Sequence, residues 1–205
     1  MSATISRRLG VTGAALLLIV SILLLSVAGP AGAAGKPLSG GTTKITLVPG
    51  VAQLFMGVGL PIYVVPPGSW ALTSNSLRLG FPVIGKTWNA STTRGQFTHK
   101  GGLFIVRPVG GVWHSVRFTN LTVNVDSAPD ITAAVNNGLR KSVFDLNLGS
   151  ATITYPHSGG SKWVKITNVT VAFSADGAAA FNAAFATSLP AGYAFGTAAI
   201  MAQYK

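Results

Sequence analysis

Two histidines open the same His-x-Gly-Gly pattern, His99-Lys-Gly-Gly102 and His157-Ser-Gly-Gly160. Neutral imidazoles can ligate a metal or a haem iron, and haem iron also accepts a tyrosine. Tyr63 is the only tyrosine upstream of His99. The plainer alternative is that each histidine begins a Gly-Gly hairpin and bonds its own turn, because equivalent positions of a repeat usually stand apart in space. His114, next to Trp113, reads as half of a surface pair. Among the tryptophans, Trp88 in Gly-Lys-Thr-Trp-Asn is expected at the surface, where it could stack on a sugar or lie in an interface. Trp113 and Trp163 begin strands and are expected in the core. The candidate ligand-binding residues are therefore His99, Tyr63, His157 and Trp88.

Catalytic chemistry has little to draw on. Glutamate is absent, and the only acids are Asp126, Asp130, Asp145 and Asp176. Glycoside hydrolysis needs two carboxylates roughly 5–10 Å apart. Here Asp126 and Asp130 flank an Ala-Pro turn, Asp145 alternates outward in a strand, and Asp176 serves a helix start. No Gly-x-Ser-x-Gly elbow is present, and neither Gly-Gly turn leads into a helix as a phosphate loop would. No catalytic residue and no metal site is assigned. The chain reads as a non-enzyme, with a hydrolase kept only as an alternative.

The elements that position these residues are mostly strands. Val116-Arg-Phe-Thr-Asn-Leu-Thr-Val-Asn-Val125 returns as Val164-Lys-Ile-Thr-Asn-Val-Thr-Val-Ala-Phe173. In each copy the apolar positions change parity midway, which predicts a β-bulge at Thr119-Asn120 and at Thr167-Asn168. Pro49 opens a short helix carrying Val51, Leu54, Phe55 and Val58 on one face. Ser174 caps a second, with Asp176 in its first turn and Phe181 and Phe185 as anchors. Asn136-Asn-Gly138 and Pro108-Val-Gly-Gly111 are hairpin signals. The fold class is mainly β: an antiparallel β-sandwich or flattened barrel with an internal pseudo-repeat and two short capping α-helices, one expected at each end.

Composition places this fold outside the cytoplasm. Arg7 and Arg8, an apolar run from Ala14 to Ala28, and Ala31-Gly-Ala33 form a secretory signal over residues 1–33, with an uncleaved anchor as the alternative. Gly/Ser/Pro-rich residues 34–42 read as a flexible tether, and 43–205 as one domain. Removing 33 of the 205 residues leaves 172, and removing Arg7 and Arg8 leaves 13 basic side chains against 4 acidic ones, a charge of +9. Cysteine is absent, which excludes disulfides and thiolate chemistry, so a packed core must supply the stability. After the leader, basic residues are scattered singly except for Arg140-Lys141, which argues against nucleic acid. The expected partner is an anionic cell-wall polymer or membrane surface, reached by long-range attraction.

The order of Leu79-Gly-Phe-Pro-Val83, Gly95-Gln-Phe-Thr-His-Lys-Gly-Gly-Leu103, the Val116–Val125 strand and the closing Ala-Phe-Asn-Ala-Ala-Phe helix resembles the HtaA-like domains of actinobacterial secreted and cell-surface proteins. The similarity covers most of the chain after the leader. Some members bind haem through a tyrosine from the N-terminal part supported by a histidine, and His99 matches that histidine. The Trp-led opening motif of the haem-binding members is missing. The resulting expectation is a non-catalytic, envelope-associated binding or structural module without a cofactor. The alternative is a haem or small-ligand binder using His99 and Tyr63.

Overall fold

Asn120 and Asn168 both adopt left-handed backbone, with φ of 55° and 59°. They sit where the parity switch in each repeat strand places a bulge, and the pairing register shifts at both points, between Thr119 and Thr122 and between Ile166 and Val169. Asparagine tolerates this conformation better than other non-glycine residues. The extra residue turns the strand, so Val116, Phe118, Leu121, Val123 and Val125 are all buried despite their change of parity, as are Val164, Ile166, Val169, Val171 and Phe173.

The computed structural model describes residues 35–57, 61–73 and 76–205, without the side chains of 54–57. The leader expected over residues 1–33, and the face of the first helix beyond Ala52, lie outside the described residues. The elements are β1 (Lys36–Leu47), α1 (Pro49–Gly57), β2 (Ile62–Val65), β3 (Ser69–Thr73), β4 (Ser76–Asn89), β5 (Arg94–His99), β6 (Gly102–Val109), β7 (Val112–Val125), β8 (Asp130–Val135), β9 (Arg140–Asn147), β10 (Thr152–Thr154), β11 (His157–Ser158), β12 (Ser161–Phe173), α2 (Ala175–Phe185) and β13 (Ala194–Tyr204). Eight strands, in the order β7-β5-β4-β1-β13-β12-β9-β8 and back to β7, close an antiparallel barrel. Closure removes the free edges that an open sheet of this length would expose.

Two long hairpins build most of it. β5 and β6 form one interrupted strand along β7, and β9, β10 and β11 do the same along β12. The tips are matching two-glycine turns, with φ of 59° and 84° at Gly110 and Gly111 and 57° and 78° at Gly159 and Gly160. The hairpin equivalent of His157-Ser-Gly-Gly160 is thus Pro108-Val-Gly-Gly111. His99-Lys-Gly-Gly102 is instead the break between β5 and β6, where Gly101 O accepts the Asn120 N–H at 3.2 Å.

Residues 36–42, expected as part of a tether, belong to β1 and pair with β13 and β4, so the ordered strand starts earlier than composition implied. The helices also differ from expectation. Val48 N–H donates to Phe195 O and Phe173 N–H to Tyr193 O, so the strands that lead into α1 and α2 flank the start of β13 at a single rim. Ser174 caps α2 as predicted, its Oγ accepting from Gly177 N–H at 3.1 Å. Below α2, Phe144 meets Phe173 and Phe195 at 5.0 and 4.6 Å, and Phe181 and Phe185 stand 4.8 Å apart. Each such ring pair adds about 0.5–1.5 kcal/mol beyond area burial.

Candidate functional site

His99 ends β5 with its ring inside the barrel and is 2% exposed. Its Nδ1 lies 3.4 Å from Leu121 O, and its Nε2 lies 2.7 Å from Thr43 Oγ1. A carbonyl only accepts, so the Nδ1–H donates to Leu121 and the Thr43 hydroxyl donates to Nε2. Burial pushes the imidazole pKa down to about 4, against hydrogen bonds to the Leu121 and Phe97 backbone that raise it. The ring is therefore neutral at physiological pH, with both nitrogens engaged. Thr43, Ile45, Phe81, Leu121, Val123 and Ile131 enclose it in a space that holds no more than a water-sized molecule. Haem does not fit against His99 in this arrangement.

Tyr63 stands elsewhere. In β2 it pairs with Phe104 of β6, their rings 6.2 Å apart, and Phe104 pairs in turn with Arg117 of β7. The neighbours of these residues, Leu103, Ile105, Val116 and Phe118, are buried. Strand alternation therefore puts Tyr63, Phe104 and Arg117 in one row on the outer face of the sheet. Tyr63 is 54% exposed, so its phenol is open to a ligand. Along the same face, Val106 pairs with Ser115 and Pro108 with Trp113.

The remaining aromatic and histidine expectations are rearranged. Trp88, expected at the surface, is 0% exposed and packs on Phe97 at 5.6 Å, because it lies on the inward side of β4 where Gly95 opposite leaves room for the indole. Trp113, expected in the core, is 71% exposed near the β6–β7 tip. Trp163 is half-buried, and Trp70 and Leu72 of β3 are exposed. His157 is exposed in β11 opposite Lys162, and His114 is exposed opposite Arg107. The structure thus separates His99 from both Tyr63 and His157. Phe104 and Arg117 were not singled out in the sequence, although alternation from the buried Leu103 turns Phe104 outward and alternation between the buried Val116 and Phe118 turns Arg117 outward.

No family model matches the sequence, and no curated protein matches it. Among solved structures, the chain is similar to the C-terminal domain of HtaA from Corynebacterium glutamicum, with a TM-score of 0.58 and 13% identity over 83% of this chain and 99% of that one. It also resembles the heme binding protein HtaB from Corynebacterium glutamicum, with a TM-score of 0.49 and 15% identity over 82% and 94% of the two chains. The chain has an HtaA-like fold. This overturns the expectation of an envelope module that acts through its basic surface and takes no cofactor. The fold shared is that of the HtaA C-terminal domain, and the haem alternative that the sequence resemblance implied is the reading this fold accords with.

Proposed function

We propose that this domain is an extracellular haem-binding module whose iron ligand is Tyr63, with His99 acting inside the barrel as a structural residue. The observation that carries this reading is the accessible phenol of Tyr63 beside Phe104 on the β2–β6 face, set against the enclosed and doubly bonded ring of His99. The HtaA-like fold supports it, and so does the excess of 13 basic over 4 acidic side chains after residue 33, which favours a ligand bearing carboxylates. Haem supplies, when bound, an iron that accepts a phenolate oxygen. Tyr63 offers that oxygen from short β2 at the margin of the sheet, and Phe104 of the adjoining β6 offers an aromatic surface beside it. The reading is one of binding and not of catalysis. Export by the leader at residues 1–33 would place the site outside the cell.

The test is a haem titration of the purified chain followed in the Soret region. A saturable band that is lost in Tyr63→Phe and kept in His99→Asn is the expected result. Absence of a band in the unmodified protein, or an undiminished band in Tyr63→Phe, overturns the proposal.

A further inference from the structure

We infer that Arg117 receives a carboxylate of the ligand held at Tyr63, an inference that rests on the haem reading above and fixes the class of porphyrin accepted. Tyr63, Phe104 and Arg117 are successive register partners across β2, β6 and β7. At a strand spacing of about 4.8 Å, the phenol-bearing and guanidinium-bearing strands are about 10 Å apart. That is the scale of a porphyrin from its central metal to its carboxylates.

Among the described residues, no hydrogen bond or ion pair claims the Arg117 guanidinium. Arg117 Nε is buried without a hydrogen-bond partner. The only ion pair among the described residues joins Lys141 to Asp176, at 3.5 Å, and leaves Arg117 aside. Other arginines do not share this position. Arg140 is committed to Asn120 O, Thr122 Oγ1 and Thr132. Arg107 alternates with the outward Val106 and Pro108 and so faces the other side of the sheet, opposite His114. A planar aromatic acid suits the rest of this face. Between the Arg117–Phe104 row and the Trp113–Pro108 row lie only Ser115 and Val106, small side chains that leave a shallow floor bordered by Trp113. Guanidinium and carboxylate would form a charge-assisted pair, and the aromatic borders would cover the macrocycle.

Affinities for haem and for haem dimethyl ester, in which both carboxylates are masked, test this in the full chain and in Arg117→Gln and Arg117→Lys. The expected pattern is that Arg117→Gln weakens haem by about tenfold and leaves the ester unchanged, with Arg117→Lys in between. Equal weakening of haem and ester, or no weakening of haem, overturns the role of Arg117 while leaving the haem reading intact. No binding of haem to the unmodified protein overturns both.

Discussion

Thr43 Oγ1 and His99 Nε2, 2.7 Å apart, join β1 to β5 through the barrel interior, passing over the β4 strand that separates them. Both residues are 2% exposed, and the other ring nitrogen reaches β7 at Leu121 O. One imidazole on β5 thus ties β1 to β7, two strands that are not sheet neighbours. Replacing Thr43 by Val keeps the shape and removes the donor, leaving Nε2 buried and unpaired. A loss of about 1–3 kcal/mol is expected in denaturant unfolding, with Thr43→Ser retaining most of the stability. Haem affinity should follow Tyr63 and not this pair.

The same ring makes stability depend on pH in a defined window. Its folded pKa is depressed, from 6.5 to about 4, chiefly by burial. As pH falls through 6.5 the unfolded chain takes up a proton that the folded chain refuses, so stability is full above 6.5, falls toward about 4, and levels off below. No other titratable group lines the enclosure. The loss amounts to about 3 kcal/mol by linkage. Unfolding free energies of the natural chain and of His99→Gln between pH 7 and pH 4 check it: the variant should be less stable at pH 7 but much flatter across the range.

The bulges give a prediction about the backbone. At φ of 55° and 59°, Asn120 and Asn168 occupy a region that a β-branched residue enters only with strain. Asn168→Val should cost about 1–2 kcal/mol or more, and Asn168→Gly should be close to neutral, both read as midpoint shifts in thermal unfolding.

Those bulges were legible because parity is a property of the chain itself: five buried apolar residues in each copy cannot face one core without an extra residue between the second and third. Ser174 as a cap and Asn136-Asn-Gly138 as a hairpin were legible for the same local reason. Sites formed across strands were less so. His99 and His157 share the His-x-Gly-Gly pattern, yet one lies in a strand break and the other before a hairpin tip, a distinction set by pairing with β7 and β12. Trp88 and Trp113 exchanged the environments expected of them because the bend at Gly85, where the β4–β5 register shifts, and the overhang of the β6–β7 tip are tertiary features. Thr43 as the partner of His99 lay 56 positions away, with nothing in either segment to announce it.

Gly177 sets how closely the second helix can approach the barrel. A Cβ built there would lie 2.0 Å from Val143 O, inside any permissible contact, and the obstacle is backbone that cannot rotate away. The neighbouring Ser174 N–H donates to that same carbonyl at 3.2 Å, so the first turn of α2 is fastened to β9 at this point. Gly177→Ala would ordinarily strengthen a helix by about 1 kcal/mol. Here it should instead lift the helix, loosening the Phe181 and Phe185 contacts beneath it, and destabilise the domain by several kcal/mol, on the order of a large core truncation. Unfolding by denaturant, paired with amide exchange of α2, checks this. The outcome expected is a lower midpoint with loss of protection concentrated in residues 175–185, whereas a stabilised Gly177→Ala variant would show that α2 does not need this close approach.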